Sequence, residues 1–489
     1  MILIELSRSD LDRSSGSRVQ RLTVGVYIDC MELDSHIGIV GLATMGQNLC
    51  MNLLDQGYRV AAWNLETQEA LRFGEAQENR SLSICKTLYE LVQRLEAPRQ
   101  IILLVRAGEP VDEVIAQCLG LLSEGDILID AGNSHYRDSE RRARQLRESG
   151  IEFVGLGISG GSEGARLGPS LMFGGSDSAW RLIREMLEKI AAQSAYGPCL
   201  SNFGEGGAGH FIKMIHNGIE YAEMQLIAEA YDLMDRGLGM STTEQLSVFD
   251  QFNQGPLSSF LIELTGRVLK SNRVRIEDIV DSAEQKGTGR WAVEAGLDLG
   301  VPIPTISASV DARAVSALLD RRNHLSQRIS SDRKVSRILD IEEIERALIF
   351  GKICAFSQGV ELIQRAKKEH QWPLKIMDIP KAWREGCILR GVLLDEWINR
   401  VVGTEPESLI DISYFWEQLI NSEDSVRSVL SVCVEVGIPL PALAASVSWF
   451  DSLTSSRLPQ SLTQAQRDAF GAHGLYLRDD PERLVHKEW

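Results

Sequence analysis

The segment Ile37-Gly-Ile-Val-Gly41-Leu-Ala43-Thr-Met-Gly46 limits the fold more than any other part of the chain. A short apolar run ends on a glycine, and the helix-like stretch "MGQNLCMNLLDQG" follows at once. Gly41 permits a tight strand-to-helix turn. Small Ala43 lets the backbone approach a pyrophosphate held at the positive end of the helix. Gly46 lets helix and strand pack closely. The pattern predicts a dinucleotide site built from Gly41, Leu42, Ala43, Thr44, Met45 and Gly46. A tight turn without a ligand shares the local pattern. The run "RVAAW", at the distance of a second strand, favours the site.

From His36 to about Gly207, short apolar runs alternate with helix-like stretches. The runs are "IGIVGL", "RVAAW", "QIILLV", "DILIDAG" and "EFVGLGIS". Such alternation reads as a doubly wound parallel sheet of Rossmann type. Ligands bind at the carboxyl ends of such strands. The loops carrying Arg106-Ala107-Gly108, Asp130-Ala131-Gly132-Asn133 and Ser159-Gly160-Gly161 are therefore expected at one cleft. After Gly207 the chain reads as long amphipathic helices, including "IEEIERALIFGKICAFSQGVELIQRAKKE" as a central one. A chain of 489 residues is too long for one ordinary core. The expected division is an extension at 1–35, an α/β domain at 36–207, a large all-α domain at 208–456 and a C-terminal tail at 457–489. The tail has too little periodicity to form a domain and should fray unless it docks on something. Met31 is a natural start, so residues 1–30 read as a tail or an over-extension.

The formal net charge of −17 argues against nucleic acid or a membrane surface as partner. It also means that a phosphorylated substrate requires a local cluster of cations. The eight cysteines form no Cys-x-x-Cys pair and no zinc-like spacing. Free thiols in a reducing, cytoplasmic compartment and no metal are the expectation. No apolar run is long enough to span a bilayer.

In "GAGHFIKMIHNGIEYAEMQLIAEAY", Lys213, Asn217 and Glu220 stand at i, i+4 and i+7. On a helix they share one stripe. An amine and a carboxylate two turns apart can address opposite sides of one small substrate, and a desolvated lysine can act as a base near neutral pH. An ordinary surface stripe has the same spacing.

This stretch resembles the signature helix of the 6-phosphogluconate dehydrogenase family. "GLATMGQNLCMN", "DAGNSHYRD", "GISGGSEGARLGPSLM", "DSAEQKGTGRW" and "QAQRDAFGAH" resemble further segments of that family, in the same order. The resemblance runs from about His36 to Trp489 and implies oxidative decarboxylation of 6-phosphogluconate in the pentose phosphate pathway. Lys213 would be the base and Glu220 the acid. Asn133, Ser159, Gly160, Gly161, His216 and Asn217 would hold the substrate carboxylate and hydroxyls. Tyr221, Lys286, Thr288 and Arg313 would hold its phosphate. Arg467 and His473 would reach the partner subunit of a homodimer. Val105, Arg106, Ala107 and Asn133 would join the glycine turn in binding the cofactor. A related β-hydroxyacid dehydrogenase on another sugar acid, and an inactive dimeric homologue with a binding role, are the alternatives.

The departures from the family are local. Where the family reads Asn-Arg-Ser/Thr after the second strand, this chain reads Asn64-Leu65-Glu66. A cation that pairs with the 2′-phosphate of NADP is gone and an anion is added. NAD, or a relaxed choice between NAD and NADP, is the expectation. Ala131, Ser162 and Phe173 are milder departures, and Arg106 keeps the charge of a common lysine.

Overall fold

The computed structural model describes residues 34–489 except 78–79, 272, 286, 330–336, 338 and 402. The expected tail at 1–30, the expected start at Met31 and the expected phosphate ligand Lys286 lie outside the described residues.

Short apolar runs form the sheet. Its strands are β1 (Ile37–Val40), β2 (Val60–Trp63), β3 (Leu82–Ile84), β4 (Gln100–Leu103), β5 (Ile127–Asp130), β6 (Glu152–Ser159) and β7 (Ser170–Gly174). A small hairpin of β8 (Gln193–Ser194) and β9 (Gly197–Pro198) precedes the last sheet strand, β10 (Leu200–Asn202). The order is β10-β7-β6-β5-β4-β1-β2-β3. β3, β2, β1, β4, β5 and β6 run parallel, and β7 is antiparallel to β6. The strand order reverses between β1 and β4, where doubly wound sheets open a crevice. Register brings the strand ends level there: Val40 faces Trp63 on one side and Leu103 on the other, and Leu103 faces Asp130. The connecting helices are α1 (Thr44–Asp55), α2 (Thr67–Glu75), α3 (Leu88–Arg94), α4 (Glu109–Leu119), α5 (Tyr136–Arg147), α6 (Gly161–Leu167) and α7 (Asp177–Ile190).

From residue 208 the described chain is helical up to the tail. Its helices are α8 (Ala208–Asp232), α9 (Thr242–Phe252), α10 (Phe260–Leu269), α11 (Thr288–Leu299), α12 (Pro304–Ser316) and α13 (Leu319–Ser326), then α14 (Ile341–His370), α15 (Asp378–Trp383), α16 (Val392–Arg400), α17 (Ser413–Val436) and α18 (Pro441–Thr454). α14 is the long central helix anticipated from sequence. An Asp340–Glu343 capping box starts it, and Lys367, Lys368 and His370 lie in its last turn, where cations suit the helix dipole. It packs against α8 and α17.

Glycines set α8 onto the sheet. A Cβ on Gly209 would collide with the carbonyl oxygens of Gly155 and Met172 and lie 2.7 Å from the Gly174 nitrogen. A Cβ on Gly157 would lie 2.6 Å from Cβ of Lys213. Backbone-to-backbone contact with β6 and β7 thus fixes the height of Lys213, one turn along the helix. Gly209→Ala is expected to cost about 1–3 kcal/mol, the usual range for overpacking. A thermal melt checks this: an unchanged Tm would contradict the close approach.

Two segments differ from their sequence reading. "GISGGSEGARLGPSLM", where a loop carrying Ser159-Gly160-Gly161 is expected after the strand, holds the end of β6, all of α6 and the start of β7. Ala165 is buried in α6, and Leu171 and Met172 are buried in β7, so packing imposes regular structure between the glycines. The tail is also ordered within itself, as helix α19 (Gln460–Gly471) and a hairpin of β11 (Leu475–Leu477) and β12 (Asp480–Val485). Its weak periodicity reflects hydrogen bonding around one carboxylate rather than an apolar face.

Candidate active site

The glycine turn is a preformed anion cradle. Gly41 has φ of +100° and its N–H donates to the Trp63 carbonyl at 2.9 Å. A Cβ on Gly46 would strike the Gly41 carbonyl oxygen, so the third glycine is obligatory for this turn. α1 begins at Thr44 without a side-chain cap and with no acid in its first turn. Its first N–H groups therefore face the crevice unpaired by any side chain, as a pyrophosphate requires. The residues fit a dinucleotide.

Asn64 is buried at the end of β2 and its Oδ1 accepts from the Leu42 N–H at 2.9 Å. Its Nδ2 donates to Glu66 Oε2 at 3.3 Å. Glu66 precedes α2 and makes no side-chain capping bond to it. Leu65 is 76% exposed, so nothing in the fold calls for an apolar side chain there. Val105 reaches the turn from the loop after β4: its Cγ1 would lie 3.3 Å from a Cβ on Gly41, and its carbonyl 3.2 Å from one on Gly132. Arg106 and Asn133 are exposed on these adjoining loops, and Ala107 is half-buried. The loop before Asn133 is held by Asp130, which accepts from Gly132 N–H, Ser134 Oγ and Arg142 Nη1.

α8 carries the lysine–carboxylate stripe. Lys213 is 7% exposed and makes no hydrogen bond or ion pair among the described residues. Burial pushes its ammonium below the ordinary lysine range, opposed by Glu220 and Cys387. Burial pushes the Glu220 carboxyl up, opposed by Lys213 and Arg313. Each group is thereby moved toward its neutral form. Between them, His216 is buried and its proton affinity is pushed well down, chiefly by desolvation and then by Lys213. His216 Nδ1 faces Asn217 Oδ1 at 3.4 Å and Glu220 Oε2 at 3.7 Å, so the neutral ring carries its proton there. Nε2 then accepts from the Ser159 hydroxyl at 3.1 Å. Ser159 thus joins the end of β6 to the stripe on α8. Gly160 and Gly161 follow with φ of +116° and +62°, leaving backbone rather than side chain at the mouth.

A cation lies beyond Glu220. The Arg313 guanidinium, from α12, sits 3.5 Å from the centre of the Tyr221 ring and donates to the Glu284 carbonyl at 3.0 Å. Burial lowers its proton affinity, while Tyr221 and Glu220 raise it. Thr288 starts α11, preceded by Gly287 in the left-handed region. Tyr221, Thr288 and Arg313 thus converge from three helices, and the Gly289 backbone lies against the Tyr221 ring. Arg467 and His473 are not brought to this cluster within the chain. Both are exposed, Arg467 donates to Gln464 at 3.0 Å, and the hydrogen bonds of the tail close within the tail.

Sequence reading missed the far wall. A Cβ on Gly160 would strike the Gly386 carbonyl, Cys387 lies near Lys213, and the Trp383 ring meets His216 edge-on at 5.3 Å. "AWREGC" carries no motif that announces this. The alternate glycines of "VGLGIS" did carry a signal, since glycine inside a strand marks close backbone approach.

Residues 36–201 match the sequence family described as the NAD binding domain of 6-phosphogluconate dehydrogenase. Residues 209–489 match the 6-phosphogluconate dehydrogenase C-terminal domain. The decarboxylating 6-phosphogluconate dehydrogenase of Lactococcus lactis is 42% identical over 93% of this chain and 98% of its own. The NADP(+)-dependent decarboxylating enzyme of Bacillus subtilis is 40% identical over 93% and 98%. The solved structure of Plasmodium falciparum 6-phosphogluconate dehydrogenase superposes with a TM-score of 0.89 at 37% identity, covering 93% of this chain and all of that one. Sequence, fold and the lysine–carboxylate stripe agree: the chain belongs to the 6-phosphogluconate dehydrogenase family.

Proposed function

We propose that this protein oxidises and decarboxylates 6-phosphogluconate, releasing ribulose 5-phosphate and carbon dioxide, with NAD or NADP as hydride acceptor. The observation that carries the reading is the pair on α8, with buried Lys213 pushed toward the free amine and half-buried Glu220 toward the carboxylic acid. Family membership and the relatives' names support the substrate.

The residues act in sequence. Neutral Lys213 takes the proton of the hydroxyl beta to the substrate carboxylate. A nicotinamide dinucleotide held at the Gly41–Gly46 turn would supply the hydride acceptor for that carbon. The β-keto acid so formed loses carbon dioxide as its ketone takes the electron pair. Lys213, now an ammonium, donates to the resulting enolate oxygen and stabilises its charge. Glu220, its carboxyl pushed toward the protonated form, delivers a proton to the enediol carbon. His216, Asn217, Ser159, Asn133 and the Gly160–Gly161 backbone orient the carboxylate and hydroxyls. Tyr221, Thr288, Arg313 and Lys286 hold the phosphate, and a guanidinium suits that task by its paired donors.

Arg467 and His473 complete the phosphate site of a second copy in a homodimer. Exposed Phe470, Leu462 and Leu297 support such an apolar contact. The seven described cysteines are free, which supports a reducing, cytoplasmic setting.

Discrimination by the phosphate tests the substrate. kcat/KM for 6-phosphogluconate is expected to exceed that for gluconate by roughly 10²–10⁴-fold, because buried polar groups reject a substrate that leaves them unpaired. Equal values would favour a dehydrogenase of another sugar acid.

A further inference from the structure

The tail is built around a carboxylate that no catalytic step uses. Asp468 on α19 has no exposed side-chain surface. Its Oδ1 accepts from the Gly474 N–H and from His486 Nδ1, both at 2.8 Å. Its Oδ2 accepts from the Lys487 N–H and from the Trp489 indole Nε1, both at 3.0 Å. Four donors, His486 foremost, hold its carboxyl well below the usual carboxylate range. The Asp468 carbonyl also accepts from the Ala472 N–H at 2.8 Å, closing α19 on a residue with φ of +50°.

The geometry sets where two other residues point. Arg467 directly precedes Asp468. His473 lies between left-handed Ala472 and Gly474, whose N–H is bound to Asp468. The His473 ring packs on the Gly471 backbone and meets the Phe470 ring edge-on at 5.7 Å. Gln464 donates to the Gly474 carbonyl at 2.6 Å from the preceding turn of the helix. Without the carboxylate, nothing else in the described tail ties residues 486–489 to α19 by hydrogen bond.

We propose that Asp468, with its clasp on His486, Lys487 and Trp489, is a positioning residue for substrate phosphate. It presets the spacing of Arg467 and His473 before the tail meets the second copy. The ordering cost of an exposed arm is then met on folding rather than on binding, which is how preorganisation raises affinity. The inference rests on the proposed role of Arg467 and His473 in phosphate binding.

The test uses the full-length dimer and four variants: Asp468→Asn, Trp489→Phe, Arg467→Ala and His473→Ala. Asp468→Asn keeps the shape but turns an N–H toward donors, and Trp489→Phe removes one donor from an exposed ring. Asp468→Asn is expected to raise KM for 6-phosphogluconate about tenfold, and Trp489→Phe a few-fold, as for lost hydrogen bonds to a charge. kcat and the KM for the dinucleotide stay within about twofold of the parent, since the clasp lies outside the α8 stripe. The preference for 6-phosphogluconate over gluconate falls in parallel. KM unchanged in both clasp variants while Arg467→Ala or His473→Ala raises it overturns the inference alone. A uniform loss of kcat, dinucleotide binding and Tm overturns it too, since that marks a merely structural role. KM unchanged in Arg467→Ala and His473→Ala removes the phosphate reading beneath it.

Discussion

Lys213→Met lowers kcat by roughly 10³–10⁵-fold, while the protein still binds its dinucleotide and melts at no lower temperature. Two losses combine. A positioned proton acceptor is worth about 10²–10⁴-fold, and a donor to the developing enolate about 10²–10³-fold. They do not add fully, because one side chain performs both. Stability moves the other way. Lys213 is buried with no hydrogen bond or ion pair among the described residues, so its burial is costly and a methionine of similar length relieves it. Fold strength is spent there on function. Single-turnover kinetics and dinucleotide titration check the result; a kcat within tenfold of the parent would remove Lys213 from the chemistry.

Glu220→Gln tests the second half of the pair through pH. In the proposed mechanism the active form has Lys213 neutral and Glu220 protonated. The Lys213 pKa is lowered, and the rate rises with pH as that amine loses its proton. The Glu220 pKa is raised, and the rate falls with pH as that carboxyl loses its proton. The parent enzyme therefore gives a bell in kcat/KM whose limbs belong to the coupled pair. Glu220→Gln lowers the rate and leaves a rise to a plateau, without the alkaline fall. Persistence of that fall would assign it elsewhere.

The second large effect concerns the cofactor. Leu65→Arg with Glu66→Thr is expected to shift the NADP/NAD ratio of kcat/KM toward NADP by roughly 10–100-fold. A unit charge pair at ~4 Å and an effective dielectric near 20 is worth about 4 kcal/mol. Both positions are exposed, so screening leaves only a fraction of that. About 1.4 kcal/mol suffices for each factor of ten. The structure adds a reason to change both. Glu66 is tied to Asn64, and Asn64 holds the Leu42 N–H of the glycine turn. An arginine at 65 alone would face a carboxylate already anchored at the strand end where the ribose is proposed to bind. An unmoved ratio in the double variant would displace the ribose site from this strand end.

Local signals in the sequence located the cleft. Gly41 and Gly46 announce their turn because no other residue tolerates that φ and that contact. The i, i+4, i+7 stripe of Lys213, Asn217 and Glu220 is a helical period, and α8 is a helix. What stayed hidden depends on partners distant in sequence. β3 has three residues, all half-buried, and cannot stand out by pattern. β7 sits behind glycines that look like a loop until Gly174 is seen against Gly209. The setting of the His216 ring depends on Ser159 and Trp383, far along the chain on either side. Asp468 reads as an ordinary helix acid until donors 6, 18, 19 and 21 residues away gather on it.

The most direct measurement mixes the purified protein with 6-phosphogluconate and either NAD or NADP, and follows reduced nicotinamide and carbon dioxide together. The expected result is equal molar amounts of both, with ribulose 5-phosphate as the sugar product. No reduced nicotinamide with either dinucleotide, or reduced nicotinamide without carbon dioxide, would contradict oxidative decarboxylation by Lys213 and Glu220.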